Sequence, residues 1–474
     1  MQEPSATPAD RAAALPPDPD APVPGTGKVD GATFVAAIRS AAPYVHRHHG
    51  KTFVIAFPGE ICARDDVDRL LGDIALLSSL GVRVVLVHGA RPQIEAELAI
   101  RGLEPRFVGD LRVTDEPSMQ AVKAAVGVLR MDIEARLTGN QAATPMAGSR
   151  LKVLGGTWVS AQAVGVRQGV DHQLTGLVRQ VDIAEIKSAL GTDRIVLISP
   201  VGYSPTGETF NLRNADVAEA VATGLGADKL VFVISSEPGS WHLAGAAGDD
   251  GQLSLSVAER LLAVELRERE LSAEDRNCVR AALASCRNGV KRVHLIGTEG
   301  PSPLLRELYT RDGYGLMIAA QDDYEATRAA GVDDVGGIAD LIRPLEEAGF
   351  LVPRSREQLE VDIDTFSVMV RDGMVIACNA LIPYPEESAA EFACVAVHPD
   401  YRGRDLAASL LRRARVLTRE RGLSTLFALT TRTPQWFLRH GFVRGGPADL
   451  PTRRRAGYDA TRNSIILLDG EHAR

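Results

Sequence analysis

Cysteine is scarce in this chain. Its five copies among 474 residues (Cys62, Cys278, Cys286, Cys378 and Cys394) are odd in number and lack metal-ligand spacing. A disulfide framework and a cysteine-rich metal module are thereby excluded, no metal is expected, and a reducing cytoplasm is the expected compartment. No apolar run approaches the roughly 18 residues of a membrane span, so no membrane partner is expected. Nor is there an excess of positive charge. The 53 basic and 61 acidic side chains leave a net charge of −8, which argues against a general nucleic-acid binder. The opening MQEPSATPADRAAALPPDPDAPVPGTG lacks the apolar core of a signal peptide and is too acidic for a transit peptide. Residues 1–29 read as a disordered Pro/Ala-rich tail. What is present, 45% hydrophobic and 24% charged residues, is ordinary for a globular protein of roughly two to four domains.

The rear of the chain is organised around Glu391–Leu417, EFACVAVHPDYRGRDLAASLLRRARVL. Phe392–Val397 is apolar and rich in β-formers, and reads as a buried strand. His398–Pro399–Asp400 breaks it, because proline cannot continue a ladder. Beyond Tyr401, Leu406, Leu410, Ala414 and Leu417 recur at helical spacing. A strand, a tight basic turn and a helix aim backbone N–H groups and a helix N-terminus at one spot, which suits a diphosphate. Around this unit the pattern predicts a polar hinge at Gln321–Asp323 and a strand over Tyr324–Ala330. Asp334 should cap a helix over Val335–Ala348, followed by strands Phe366–Arg371 and Met374–Ile382. A strand over Ser424–Thr430 and a short helix Gln435–His440 come after.

In the front part, Thr52–Phe57 is a strand run, and Val67, Leu70, Leu71, Ile74, Leu77 and Leu80 mark a helix ended by Gly81. Val82–Val87 is a second buried strand, and Pro92 is placed to open the next helix. Such βαβ units give a parallel sheet with helices on both faces and ligands at strand C-termini. Ile195–Ser199, the helix Asn214–Gly224 and the strand Leu230–Ile234 continue the pattern, so Asp30 to Ala320 reads as one large α/β domain.

HPDYRGRDLA resembles the acyl-CoA-binding turn of GNAT-type acetyltransferases, with Arg402 and Ala407 at the pattern positions and Asp405 where a glycine is usual. KTFVIAFPGE, HGARPQI and NLRNADVA resemble the amino-acid kinase fold in its acetylglutamate kinase branch. Ala56 stands where that family has its phosphate-neutralising lysine, and Pro58–Gly59 where it has two glycines. RVHLIGTEGPSPLLRELYTRDGYGLMI resembles the arginine-holding segment of arginine-sensitive members, with His294, Glu307, Gly313 and Gly315 at the matching positions. RPLEEAGFLVPRSREQLE, LTTRTPQWFLRHGF and YDATRNS resemble N-acetylglutamate synthases of the bacterial arginine pathway. The resemblance implies an α/β chain with a kinase-like doubly wound open sheet over residues 30–320 and a GNAT domain over 321–474. It implies transfer of acetyl from acetyl-CoA to L-glutamate, the first step of arginine biosynthesis, L-arginine as effector, and a homo-oligomer, hexamer or tetramer.

The same resemblance implies the site. Glu391 is its general base, and a partly desolvated carboxylate there would be a better proton acceptor. Thr430 matches a hydroxyl position suspected of protonating the departing thiolate. The backbone of Cys394, Val395, Ala396 and Val397 should face the pantetheine arm, and Arg402, Gly403, Arg404, Asp405, Leu406 and Ala407 the diphosphate. Cys394 reads as a small core residue, since direct transfer needs no acyl-enzyme. Arg354, Arg462 and Ser464 match glutamate-binding positions, and arginine's fork suits carboxylates. Glu307 could accept a bidentate guanidinium bond, with backbone amides near Gly313 and Gly315 holding arginine's carboxylate. Three other readings compete: a bifunctional synthase and kinase, opposed by Ala56; a non-catalytic arginine sensor; and a GNAT enzyme for other amines, opposed by the paired arginines.

Overall fold

A computed structural model describes residues 30–470 apart from 63–66, 140–150, 192–193, 238–251, 269–270, 311–312, 321–326, 372–373 and 404. The expected tail, the expected hinge at Gln321–Asp323, Arg404 and the start of the strand expected at Tyr324 therefore lie outside the described residues. Two compact units are present: residues 1–212 with 296–315, and residues 213–295 with 316–474.

In the first unit, helix α1 (Gly31–His48) is capped by Asp30, whose carboxylate accepts the Thr33 amide. Four strands follow, β1 (Thr52–Phe57), β2 (Arg83–His88), β3 (Lys152–Gly155) and β4 (Arg194–Ile198), lying in the order β1-β2-β4-β3, all parallel. Strands buried on both faces read as unbroken apolar runs, and TFVIAF does. Helices α2 (Val67–Ser79) and α3 (Arg91–Ile100) fall at their expected positions, with Pro92 in the first turn of α3. Among the described residues, the turn after β1 is closed where a phosphate cradle would be expected. Gln93 donates to the Gly59 carbonyl at 2.7 Å, and a Cβ on Gly59 would lie 3.0 Å from the Ala90 Cα. Ala56 is buried and carries no charge.

The second unit contains β5 (Lys229–Val233), β6 (Gln252–Ser254), all but the last residue of β7 (Arg292–Ile296) and β8 (Leu316–Ala319), in the order β6-β8-β7-β5, preceded by helix α4 (Asn214–Leu225). It also contains a seven-stranded sheet. Its members are β9 (Thr327–Ala329), β10 (Phe366–Arg371), β11 (Met374–Tyr384), β12 (Ala389–Val397), β13 (Thr425–Thr430), β14 (Phe442–Arg444) and β15 (Ile465–Asp469). The order is β9-β10-β11-β12-β13-β15-β14, antiparallel except between β12 and β13. Helix α5 (Val335–Glu347) covers one face through Val335, Ile338 and Ile342, packed with Phe366, Val368, Cys378 and Ala396. Helix α6 (Leu406–Glu420) covers the other through Leu406, Leu410 and Ala414, packed with Ile376, Leu381 and Phe392.

Asp334 does not cap α5. Its own backbone is helical, at the end of a 3-10 turn, and its carboxylate instead takes the Arg328 fork at 2.7 and 2.8 Å and the Gly331 amide at 2.8 Å. The Arg328 hydrogen bond holds that carboxyl below its ordinary value. A ready bidentate cation from the neighbouring strand outcompetes a cap role.

Candidate active site

The β12–β13 ladder is short. It pairs Ala389 with Thr425, Ala390 with Leu426 and Glu391 with Phe427, and then stops, although β12 continues to Val397 and β13 to Thr430. Parallel strands that part in this way leave a wedge. A cavity of about 690 Å³ is lined by Glu391, Cys394, Val395 and Val397 from one strand and by Leu429 and Thr430 from the other. Arg354, Arg402, Arg462 and Ser464 also line it. The wedge therefore gathers most of the residues named from the sequence for acetyl transfer. Ala396 is not a wall; its side chain is buried toward α5.

A bulge bends β12 at this point. Ala380 pairs with Ala393 and Cys378 with Ala396, so Cys394 and Val395 together oppose the single residue Asn379. Cys394 takes a left-handed backbone, φ 52°, which in a non-glycine residue costs roughly 1–3 kcal/mol. The extra residue reverses the alternation of side chains. Ala390 and Phe392 face α6, then Cys394 and Ala396 face α5, and Val395 and Val397 return to the α6 side. Burial raises the Cys394 thiol above its ordinary value, which keeps it protonated and a poor nucleophile.

Glu391 is 5% exposed. Its Oε2 accepts Arg454 Nε at 2.8 Å and the Tyr384 hydroxyl at 3.3 Å, and its Oε1 accepts Arg454 Nη2 at 3.3 Å. The buried carboxylate thus carries a guanidinium fork from Arg454. Burial, reinforced by the Glu391 charge, pushes the Tyr384 hydroxyl up to about 12, so it stays a donor. Burial lowers Arg454, but the Glu391 hydrogen bond and charge more than compensate and leave it above its ordinary value. Neither residue was named from the sequence. Arg454 sits in PTRRRAGY, where a run of arginines reads as a solvated face, and Tyr384 ends a strand like many tyrosines.

Thr430 Oγ1 accepts the amides of Arg432 (3.3 Å) and Thr433 (3.1 Å) and lies 3.3 Å from the Thr433 hydroxyl. Two amide donors stabilise negative charge on that oxygen, which favours giving up its proton. Arg462 Nη2 donates to the Gly349 carbonyl at 3.2 Å, and Asn463 turns through φ 49° between Arg462 and Ser464. In the basic turn Tyr401 is buried while Gly403 (φ 86°) and Asp405 (φ 59°) are left-handed. Asp405 stands at the N-cap of α6 without a side-chain cap bond, Leu406 is buried in the core and Ala407 is half-buried.

The residues matched to arginine binding lie elsewhere in the chain. His294, buried in β7, has its Nε2 3.1 Å from Lys229 Nζ. Glu307 Oε2 accepts the amides of Tyr314 at 2.6 Å and Gly315 at 2.8 Å. Gly313 is left-handed at φ 64°, and a Cβ there would meet Glu307 Oε2 at 3.0 Å. The Gly315 amide expected to face a ligand carboxylate thus serves Glu307 here.

The chain is similar to known proteins in both of its parts. Residues 51–237 match the amino acid kinase family and residues 362–444 the acetyltransferase (GNAT) domain. The amino-acid acetyltransferase of Ralstonia nicotianae is 44% identical over 94% of this chain and 97% of its own length. That of Azotobacter vinelandii is 46% identical over 92% and 98%. The structure of N-acetylglutamate synthase from Neisseria gonorrhoeae complexed with coenzyme A and L-arginine is 35% identical. It superposes with a TM-score of 0.83 over 92% of this chain and 99% of its own. The same synthase complexed with coenzyme A and N-acetyl-glutamate is 36% identical over the same shares, with a TM-score of 0.58. With a kinase-fold front, a GNAT rear and relatives matched along nearly their whole length, the chain belongs to the amino-acid acetyltransferase family.

Proposed function

We propose that the protein is an N-acetylglutamate synthase, moving acetyl from acetyl-CoA to the amine of L-glutamate. The observation that carries this reading is the wedge itself: one buried carboxylate, Glu391, in a cavity that also holds Arg354, Arg462 and Ser464. A dicarboxylate with an amine needs fixed cations for its carboxylates and a base for its ammonium. The unpaired edge of β12 beyond Glu391 suits the amide-bearing pantetheine arm. Arg402, Gly403 and the start of α6 suit the diphosphate. Glu391 takes one proton from the substrate ammonium, and the free amine attacks the thioester carbonyl carbon. The C–N bond forms as the C–S bond breaks. The second proton leaves nitrogen and reaches the thiolate through Thr430, whose hydroxyl gives one proton and regains one. A thiol-release assay with acetyl-CoA and a panel of amino acids tests the reading. Glutamate should be the preferred acceptor, and a preference for other amines would overturn it.

The kinase-like part serves regulation in this reading, with L-arginine as effector. Ala56 offers no charge for phosphoryl transfer, whereas Glu307 and Gly313 form an ordered, glycine-requiring turn. Coupling of about 1–3 kcal/mol is ordinary for two linked sites. Glu307→Ala should leave basal acetylation near wild type and abolish the arginine response, and a fully sensitive variant would remove Glu307 from the effector site. The exposed apolar residues Phe34, Val35 and Ile38 on α1 support a homo-oligomer. Five free thiols support a reducing, cytoplasmic location.

A further inference from the structure

Both oxygens of the catalytic carboxylate are already engaged. Both residues line the cavity, and the Arg454 side chain is 27% exposed against 6% for Glu391, so the arginine is the more accessible half of the pair. Withdrawing it alone would leave a buried, uncompensated charge, the costly way to break such a pair. A second cation must therefore arrive as the guanidinium leaves. An α-amino acid brings one, and beside it a carboxylate for the guanidinium to take.

We infer that the Glu391–Arg454 pair is the docking template for the α-amino-acid end of the substrate. The ammonium replaces Arg454 on Glu391, and the α-carboxylate receives the freed Arg454 fork. This rests on the glutamate reading above and goes beyond it, because it makes Arg454 the residue that selects α-amino acids over plain amines. Arg354, Arg462 and Ser464 then serve the distal carboxylate. No charge is stranded at any stage, since each opposite-sign contact is exchanged for another. Tyr384 keeps its hydrogen bond to Glu391 throughout and fixes the carboxylate while its partner changes.

The test compares L-glutamate with 4-aminobutyrate, which is glutamate without its α-carboxylate. The wild-type enzyme should favour glutamate in kcat/KM by roughly a hundredfold or more, because a site built for a charged group rejects the analogue lacking it. Arg454→Gln should lower kcat/KM for glutamate roughly 10–100-fold and for 4-aminobutyrate far less, so the preference collapses. Arg454→Lys, which keeps a cation but not the fork, should fall between. If Arg454→Gln does not fold, as judged by thermal melting, the lysine variant decides. An unchanged preference in the folded variants would show that Arg454 only positions Glu391, and would overturn the exchange. Equal use of both amines by the wild type would overturn it too. A wild-type enzyme that acetylates other amines but not glutamate would instead remove the reading on which the inference rests.

Discussion

Two arginine–carboxylate pairs in the acetyltransferase part invite comparison. Glu391 and Arg454 meet at 2.8 Å on the wall of the cavity, while Asp469 and Arg415 meet at 2.8 and 2.9 Å between β15 and α6. The chemistry is the same and the surroundings are not. Arg415 also donates to the His440 carbonyl at 2.6 Å, and the Asp469 side chain is fully buried, so that pair ties a helix to the last strand and the end of a second helix. The cavity pair has a partly exposed cation whose further hydrogen bond is a long one, 3.5 Å to the Gly457 carbonyl. A buried ion pair is weak evidence for function in itself. What distinguishes the two is that one can be exchanged from the cavity and the other cannot.

Three substitutions can break or sharpen that contrast. The largest effect should come from Glu391→Gln, with kcat falling roughly 10²–10⁴-fold and the thermal midpoint little changed, read by steady-state kinetics and thermal melting. A loss below tenfold would take general-base duty away from Glu391. Asp469→Ala should do the reverse. It should cost about 3–5 kcal/mol in urea unfolding by stranding Arg415, while the folded fraction keeps its specific activity. Activity lost ahead of stability would mean that the two pairs are coupled. The smallest effect is expected for Tyr384→Phe, which removes one long hydrogen bond at Glu391. It should reduce kcat/KM by about 0.5–1.5 kcal/mol equivalent, roughly 2–12-fold, with no change in unfolding. A null result there would leave Arg454 as the sole side chain that orders the base.

The regular elements were legible because their residues agree at every level. TFVIAF and FSVMVR are apolar β-formers and are the strands Thr52–Phe57 and Phe366–Arg371 to the residue. Family wording placed Glu391, Thr430, Arg354, Arg462 and Ser464, and the wedge between β12 and β13 explains why such distant positions share one cavity. Arg454 was not legible, because nothing in three successive arginines tells which one folds back over the start of β12. Asp334 looked like a cap until Arg328 supplied a better partner. The bulge in β12 was invisible for a related reason. Cysteine has no preference for a left-handed backbone, so EFACVAV reads as an even strand.

Cys394 has a consequence in terms of insertion and deletion. Striking it from the sequence would leave Phe392, Val395 and Val397 in ordinary alternation on the α6 side, and Ala393 and Ala396 on the other. The ladder with β11 would then close with Asn379 opposite Val395. Such a strand would be easier to fold, free of one strained residue, and straighter where it now veers from β13. One wall of the cavity thus carries a single residue beyond what the sheet needs. In this strand a one-residue deletion, which every packing rule would permit, is more dangerous to function than most substitutions.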